Sequence, residues 1–281
     1  MNEMNAVTIT PEVPHNSAMP LDNINQGTVA IEASRAVAEA QGKLVFAKRF
    51  PRDEYQAFAN MKKACQRIGL ANKAFYSYPR GNETVSGPTI RLAEELARCW
   101  GNIDFGIKEL SQDNGKSEMQ AYAWDLETNT MSVQNFTNPH AKEVRGKIKT
   151  LTSLRDTYEN NANMAGRRLR ARILAVLPTD FVEEAVAECR KTLAGKNDVP
   201  ISDRVRKMVV EFEKLGVTQD MIENRLDRGL DTMTGDDLTD YIGIYNSIKE
   251  KNTKVSDWFE YEKISSDISE EIDEMTKGQV I

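Results

Sequence analysis

The spacing of apolar residues predicts helices in both halves of the chain. In several stretches the apolar positions recur every three or four residues, which is the period of one helix face. Capping residues stand before these stretches, and glycine or proline stands at their ends. The helices predicted before the middle of the chain are residues 29–50; 54–68, between Asp53 and Gly69; and 89–100, between Pro88 and Gly101.

Two stretches show the alternation of a β-strand instead. Residues 74–86 predict a short hairpin that turns at Arg80-Gly81-Asn82. Residues 102–136 predict a three-stranded antiparallel meander, with turns at Asn114-Gly115 and at residues 127–130. Residues 141–150 are basic and contain glycine, which favours a loop.

A further helix is predicted after Thr152 or Ser153, and Asp156 has the capping-box spacing from Ser153. Its last part, residues 160–178, is apolar along one side and ends at Pro178. Four arginines lie within six residues there, broadly opposite the apolar side, with Arg170 at the border: Arg167, Arg168, Arg170 and Arg172. This row could bind a repeating anion, or it could be an ordinary solvated surface.

The C-terminal part is predicted to be helical. Thr179 caps a helix over residues 180–193, and residues 201–250 contain about three short helices with Ser202, Thr218 and Thr234 as start signals. The pattern as a whole predicts an α+β fold in which the meander and hairpin pack on helices. The predicted division is a disordered arm at 1–28, a core at 29–194, a linker at 195–200, a helical module at 201–262 and an acidic disordered tail at 263–281.

The net charge of −6 conceals an uneven distribution of charge along the chain. Residues 43–100 contain 11 Lys and Arg against 5 Asp and Glu, and residues 141–175 contain 9 against 3. Residues 176–281 reverse the balance, with 14 against 24. A basic body and an acidic C-terminal third favour a polyanionic partner more than the overall charge does.

The sequence lacks the motifs of a zinc site, an ATP-binding loop, a nucleophilic serine and a membrane-spanning helix. His15 and His140 are the only histidines, and the cysteines Cys65, Cys99 and Cys189 are widely spaced, which disfavours a zinc site and indicates buried, reduced thiols. No GxxxxGK[ST] loop or Gly-x-Ser-x-Gly elbow occurs. No apolar run reaches the roughly 20 residues that cross a bilayer. We therefore expect a soluble intracellular protein without a metal or cofactor.

Phosphate binding requires fixed Lys and Arg side chains, and single-strand binding also uses aromatic faces for base stacking. The candidate DNA-binding residues are Lys48, Arg49, Arg52, Tyr76, Tyr78, Arg80, Arg91, Lys147, Lys149, Arg155, Arg167, Arg168, Arg170 and Arg172. Each has a plainer interpretation: the tyrosines could be strand packing, and Arg91 an exposed helix residue. Trp100 and Trp124 are predicted to be core residues.

The order of these elements carries a resemblance. Residues 163–178 (NMAGRRLRARILAVLP), 86–102 (SGPTIRLAEELARCWGN) and 121–127 (AYAWDLE) together resemble phage single-strand DNA annealing proteins of the RecT/Redβ kind, over about residues 43–194. The aromatic-glycine strand motif typical of better-known members is not found in this sequence.

The resemblance implies annealing of complementary single strands in a basic groove, without ATP hydrolysis or a cofactor, by ring or filament homo-oligomers during phage recombination. It also implies that the acidic C-terminal module recruits a single-strand binding protein or an exonuclease, in the cytoplasm of a bacterial host. Two alternatives remain open from the residues alone: a phage scaffold or regulatory protein that binds an acidic partner, and a metal-dependent DNA-processing nuclease.

Overall fold

The computed structural model describes residues 26–81, 83–144, 147–195 and 199–260. The chain divides into two units between Phe46 and Ala47. The first unit contributes helical residues 26–46 to this description, and the second contains the strands and the remaining helices. The predicted arm, apart from residues 26–28, lies outside the described residues, as do the tail at 263–281 and linker residues 196–198.

The described residues form an α+β fold, as the sequence predicts. The helices are α1 (Gln26–Arg49), α2 (Glu54–Cys65), α3 (Ile68–Ala71), α4 (Ile90–Trp100), α5 (Leu154–Val176), α6 (Thr179–Gly195), α7 (Ile201–Glu213), α8 (Gln219–Leu226) and α9 (Gly235–Lys249). The strands are β1 (Phe75–Arg80), β2 (Glu83–Pro88), β3 (Ile103–Asp113), β4 (Lys116–Asp125), β5 (Thr130–Pro139), β6 (Ala141–Val144) and β7 (Lys147–Thr150).

The predicted meander is confirmed as an antiparallel sheet with the strand order β3-β4-β5. Its first turn is Asn114-Gly115, where both residues have positive φ, 49° and 73°. Such a pair matches the twist of the two strands that it joins. The predicted hairpin is also confirmed, because β1 pairs with β2 in antiparallel register.

The interpretation of residues 141–150 as a loop is wrong. Strands β6 and β7 form a second antiparallel hairpin there, in which Lys142 lies opposite Lys149. The hairpin continues from the meander, because the backbone N–H of His140 donates to Gly115 O at 2.7 Å and that of Leu151 donates to His140 O at 2.8 Å. The four residues of β7 are all exposed, so apolar alternation gave no signal for this strand.

Several helix boundaries also differ from the sequence prediction. Helix α2 ends at Cys65, and Gly69 lies inside the short helix α3, because Arg67 between them is extended. Pro88 pairs with Phe75 as the last residue of β2 and does not start α4.

The remaining predicted caps divide into confirmed and incorrect ones. Thr218, Thr234 and Ser153 cap α8, α9 and α5 as predicted, whereas Thr179 and Ser202 lie inside α6 and α7. Residues 26–28, predicted to belong to the disordered arm, are the first residues of α1. Helix α6 begins at Thr179 itself and α7 at Ile201, so each of these start signals stands within its helix rather than before it.

One hydrophobic core lies between the meander and helices α2, α4, α5 and α6. Its aromatic centre is Phe181, whose ring contacts Phe58 at 5.0 Å and Trp100 at 4.9 Å between centroids. The prediction that Trp100 is a core residue is confirmed. On β4 the alternate residues Met119, Ala121 and Ala123 are buried, so one face of the sheet carries this core.

A second core lies within α7, α8 and α9 and the segment that follows α9. Helix α9 also packs against β1 and α6, and Ile242 contacts both cores. The backbone N–H of Ser77 donates to Ser247 Oγ at 2.8 Å, and Gly243 leaves no room for a side chain against Ser77 Oγ. The buried core therefore changes between α6 and α7, while α9 contacts both cores.

All three cysteines are buried, as predicted, although they come from distant parts of the sequence. A hydrogen bond with Cys189 and burial raise the pKa of the Cys65 thiol far above its ordinary value. Burial raises the pKa of Cys99 to about 11. Cys65 and Cys99 are therefore protonated at neutral pH, and all three buried cysteines serve as small packing groups.

Arg52 is a structural residue at the end of the meander. Its guanidinium contacts Asp125 and Glu127, the latter at 3.0 Å from Nε, and lies 4.8 Å from the Trp100 ring. Its side chain is 7% exposed, so the group has little access to a ligand. Within the described residues, no helix is both long and apolar enough to cross a bilayer.

Replacing Arg52 by Met is expected to lower the free energy of unfolding by about 3–5 kcal/mol, because it leaves Asp125 buried without its counter-charge. The control is Arg67→Met, which removes an ion pair with Glu95 from an arginine that is 57% exposed. That loss should be about 1 kcal/mol or less. Urea unfolding measures both, and equal losses would contradict the structural role of Arg52.

The stability contributed by Glu127 is expected to disappear in acid. Burial alone would raise the pKa of Glu127, but hydrogen bonds from Asn102 and Arg52 outweigh burial and hold that pKa below its usual value. The contribution is therefore present above the unfolded pKa of about 4.3 and is lost as the pH falls through the lower, folded pKa. The difference in unfolding free energy between the native chain and Glu127→Gln should shrink over that range, whereas exposed Glu213→Gln should show little difference at any pH.

Candidate nucleic-acid interface

Helix α5, which carries the arginine row, lies against the core face of the meander. Ser153 Oγ accepts a hydrogen bond from the Asp156 N–H at 3.5 Å and so begins the helix. The buried residues of α5 recur every three or four positions along the side that faces the sheet: Thr157, Asn161, Ala165, Leu169, Ile173 and Val176. The predicted apolar side, Leu169, Ile173 and Val176, is therefore confirmed.

A buried polar network fixes the position of α5 on the sheet. Asn161 Nδ2 donates to Ser117 Oγ at 2.9 Å, and Asn161 Oδ1 accepts from Asn138 Nδ2 at 2.6 Å. Ser117 Oγ also lies 2.8 Å from His140 Nε2. Ser117, Asn138 and Asn161 are all buried, so a slip of the helix would leave amide groups without partners. This constraint determines where the arginines of the next turns lie.

The four arginines do not form one row facing away from the core. Arg168 lies over Phe136 of β5, with 4.2 Å between its guanidinium carbon and the ring centroid. Arg170 lies over Tyr76 of β1, also at 4.2 Å. A guanidinium on a long flexible stem is attracted to a nearby aromatic face, and each arginine has bent toward one. The basic surface therefore has two sides, one toward β5 and one toward β1.

Tyr76 and Tyr78 continue the arrangement on the β1 side. Their rings are parallel within 4°, with centroids 6.0 Å apart. Because strand residues alternate, Phe75 and Ser77 point into the protein while the two tyrosines face outward. Gly87, opposite Tyr76 on β2, leaves space for its ring, since a Cβ there would lie 2.8 Å from Tyr76 Oη. We call Arg170, Tyr76 and Tyr78 the stacked ladder.

The stacked ladder borders an open cavity of about 640 Å³. Arg167 lies beside the ladder and donates to Asn252 Oδ1. The segment after α9 supplies the facing wall through Asn252, Thr253 and Asp257. We call this space the ladder cavity. It places two of the four arginines beside both predicted tyrosines.

Arg172 is half-buried one turn beyond Arg168. Its Nε atom is buried and has no hydrogen-bond partner within the described part of the chain. A buried guanidinium N–H without an acceptor is costly, and such groups in native proteins are rare. Arg172 is thus the arginine of α5 whose hydrogen bonding is least satisfied.

The hairpin β6–β7 is a second basic surface. Lys147 and Lys149 are exposed on β7, and Lys142 is exposed on β6 directly opposite Lys149. Like charges that face each other across a strand pair destabilise it. Arg155 is exposed in the first turn of α5, where the helix dipole also disfavours a cation. Both arrangements would be relieved by a bound anion.

The other predicted residues are dispersed. Of the described candidates, the following do not line the ladder cavity: Lys48, Arg49, Arg52, Arg80, Arg91, Lys147, Lys149, Arg155, Arg168 and Arg172. Lys48, Arg49 and Arg80 are exposed, and Arg91 pairs with Glu94 at 3.2 Å, as its plainer interpretation suggests. Arg52 is held by Asp125 and Glu127, so we leave it out of the candidate interface.

Sequence reasoning missed two features near these surfaces. Asn252 meets Arg167 from 85 positions away along the chain, and no local pattern indicates that contact. Trp124 was predicted to be core, but it lies half-buried on the open face of the sheet, with Nε1 donating to Asn129 Oδ1 at 3.0 Å. Strand alternation explains this placement, because Ala123 and Asp125 occupy the buried positions on either side.

Protein-family models, curated proteins and solved structures give no match to this chain. Function is therefore inferred from the geometry of the side chains. Among the described residues, no three His, Cys, Asp or Glu side chains are grouped as a metal ion would require.

The hairpin β6–β7 is expected to become more stable when its facing lysines are separated. Lys149→Glu replaces a like-charge pair with an attractive one, worth about 0.2–1 kcal/mol. Amide hydrogen exchange of residues 141–150 should slow at low salt. Lys147→Glu is the matched control, because Lys147 faces Val144 rather than a lysine. Unchanged or faster exchange in Lys149→Glu would show that the lysine pair carries no strain.

Proposed function

We propose that this protein binds single-stranded DNA and anneals complementary strands without ATP. The observation that supports this best is the stacked ladder with Arg167 beside it, at the edge of an open cavity. Rings held parallel at the surface suit base stacking, and guanidinium groups next to them suit the phosphates that join the bases. Neither group alone would favour a nucleic acid over another anion or over an apolar ligand.

The ladder would bind bases through stacking. Arg170 covers one face of the Tyr76 ring, and the ring packs closely against Gly87, so it is held in place. Tyr78 is more exposed, at 36%, and is the ring to which a base can add. A base stacked on an aromatic side chain contributes about 1–3 kcal/mol and does so for every base. Such binding fits a strand of any sequence.

The arginines of α5 and the lysines of β6–β7 would bind the phosphates. The buried network at Asn161 anchors α5, so the helix that carries the arginines does not have to be ordered when an anion binds. Neutralising one strand lowers the electrostatic cost of bringing a second strand close, and this is the physical basis of the proposed annealing.

The finer parts of the proposed function rest on the resemblance to phage single-strand DNA annealing proteins. We propose that the protein acts as a homo-oligomeric ring or filament in phage DNA recombination, in the cytoplasm of a bacterial host. Single-stranded DNA and the annealed duplex intermediate are its proposed ligands. The acidic C-terminal module is the proposed contact for a single-strand binding protein or an exonuclease. The activity is binding and annealing rather than catalysis, and it uses no cofactor.

A second candidate, an interaction protein of the phage scaffold or regulatory kind, is favoured by the open face of the sheet. Met131 is 56% exposed there, Val133 is 41% exposed, and they pair across the strands with Trp124 and Tyr122. Exposed apolar patches of this type mark protein interfaces. A protein partner that stays bound after nuclease treatment, together with absent DNA binding, would favour this candidate.

The test of DNA binding is reversal of charge at the ladder cavity. The double variant Arg167→Glu, Arg170→Glu is expected to bind an oligonucleotide at least about tenfold more weakly. The slope of log affinity against log salt should fall by about 0.7 for each phosphate that the variant no longer neutralises. Lys191→Glu, Arg206→Glu changes the net charge equally at exposed positions that do not line this cavity. Affinity and strand annealing should be retained in that control.

A second variant separates stacking from charge. Arg170→Lys keeps the positive charge but loses the planar group over Tyr76, so its affinity should lie between those of the native chain and the double variant. Absence of oligonucleotide binding by the native chain at low salt would refute the proposed function.

A further inference from the structure

The two walls of the ladder cavity differ in charge. One wall consists of the stacked ladder and Arg167, which are aromatic and cationic. The other wall consists of Asn252 and Thr253, which are neutral, and Asp257, which is anionic; Lys254 of the same segment does not line the cavity. An acidic side chain has no place in a surface that binds only phosphate, because it repels the ligand. A carboxylate opposite two arginines is suited to a ligand that carries hydrogen-bond donors at one end and an anion at the other.

The acidic wall is held in place before any ligand binds. Asn252 N–H donates to Ser247 O at 2.8 Å, and Thr253 Oγ1 accepts from Trp258 Nε1 at 2.9 Å. One oxygen of Asp257, Oδ2, accepts from Lys254 N–H at 2.7 Å. Trp258 is buried in the second core, so the segment is anchored there. A carboxylate has two oxygens and about four acceptor sites, so Asp257 retains acceptor capacity.

The cavity lies between β1 and α5 on one side and the segment after α9 on the other. Arg167 reaches across from α5 and contacts Asn252, which closes the space on one side. The volume of about 640 Å³ lies within the range of sites that take one small ligand. A strand passing over the ladder would therefore place one nucleotide in this space while its neighbours remain outside.

The charges of a single nucleotide are complementary to those of the cavity. Its phosphate is anionic and matches Arg167, its base has flat faces that match Tyr78, and its base edge can carry N–H donors that match Asp257. The bases differ in those donors. Guanine presents a ring N–H and an amino group side by side, adenine and cytosine each present one amino group, and thymine presents a single N–H between two carbonyl oxygens. A carboxylate only accepts hydrogen bonds, so guanine suits it best and thymine least.

We propose that the ladder cavity holds one nucleotide of a bound strand and selects its base, with guanine preferred and thymine disfavoured, and that Asp257 reads the base edge. This inference rests on the proposed function, since it assumes that single-stranded DNA is the ligand. Tyr78 provides stacking that is the same for all bases, and Asp257 provides the difference between them.

The test compares oligonucleotides of equal length by fluorescence anisotropy with the full chain. One is oligothymidine, and in the others every third thymine is replaced by guanine, adenine or cytosine, so that guanines are never adjacent. Guanine-containing strands are expected to bind roughly tenfold more tightly than oligothymidine, in line with a carboxylate that makes paired hydrogen bonds to a base edge. Replacing guanine by inosine, which lacks the amino group, should remove most of that preference.

The variant Asp257→Asn should reduce the guanine preference to about twofold or less. An Asn oxygen can still accept from the Lys254 N–H, so the segment should keep its fold, and a urea unfolding midpoint close to that of the native chain checks this. Affinity for oligothymidine should stay equal or rise, because a negative charge has been removed. Asp220→Asn, an exposed carboxylate on α8, is the matched control and should keep the preference.

The outcomes separate the two proposals. If all the oligonucleotides bind with equal affinity, the selective cavity is refuted and DNA binding stands. A guanine preference that persists in Asp257→Asn would refute the role of Asp257, and the inosine strand tests base selection even if that variant does not fold. Failure of every strand to bind at low salt would refute the proposed function itself.

Discussion

The hydrogen bonds of Asn161 constrain the rest of this structure. They join α5 to two neighbouring strands of the meander inside a buried environment, where an unsatisfied amide is costly. Apolar contacts alone would tolerate small shifts of a helix along a sheet, but paired amides do not. Because Arg168 and Arg170 follow two turns later on the same rigid helix, the network also determines which aromatic ring each arginine reaches.

The surroundings of the cationic side chains in this protein differ, and these differences determine their roles. Arg52 is enclosed by two carboxylates and a tryptophan ring, and it stabilises the end of the meander. Lys142 and Lys149 face each other across a strand pair, which is an arrangement that lowers stability. Among residues of the same charge, the environment distinguishes a structural role from a surface that is suited to an anion.

Local patterns carried most of the fold. Alternation and turn residues predict the meander correctly, and the cap at Ser153 and the stop at Pro178 predict α5 closely. The hairpin β6–β7 escapes prediction because the residues of β7 are exposed on both faces, so burial imposes no period on them. The site was only partly predictable: Tyr76 and Arg170 could each be proposed from local sequence, but their contact, and the contribution of Asn252, arise from packing between distant elements.

The packing contact between α9 and β1 restricts where the chain can be separated into independent modules. Ser77 and Ser247 are hydrogen-bonded there, and Gly243 admits β1 only because it has no side chain. The strand that carries the tyrosines thus rests on a helix of the C-terminal part. A chimaera that exchanges the C-terminal helices between homologous chains must exchange β1 together with α9, because the two surfaces are complementary at the level of single atoms. The two separate cores therefore do not correspond to two independently exchangeable modules. Recombination points suitable for protein engineering lie elsewhere in the fold.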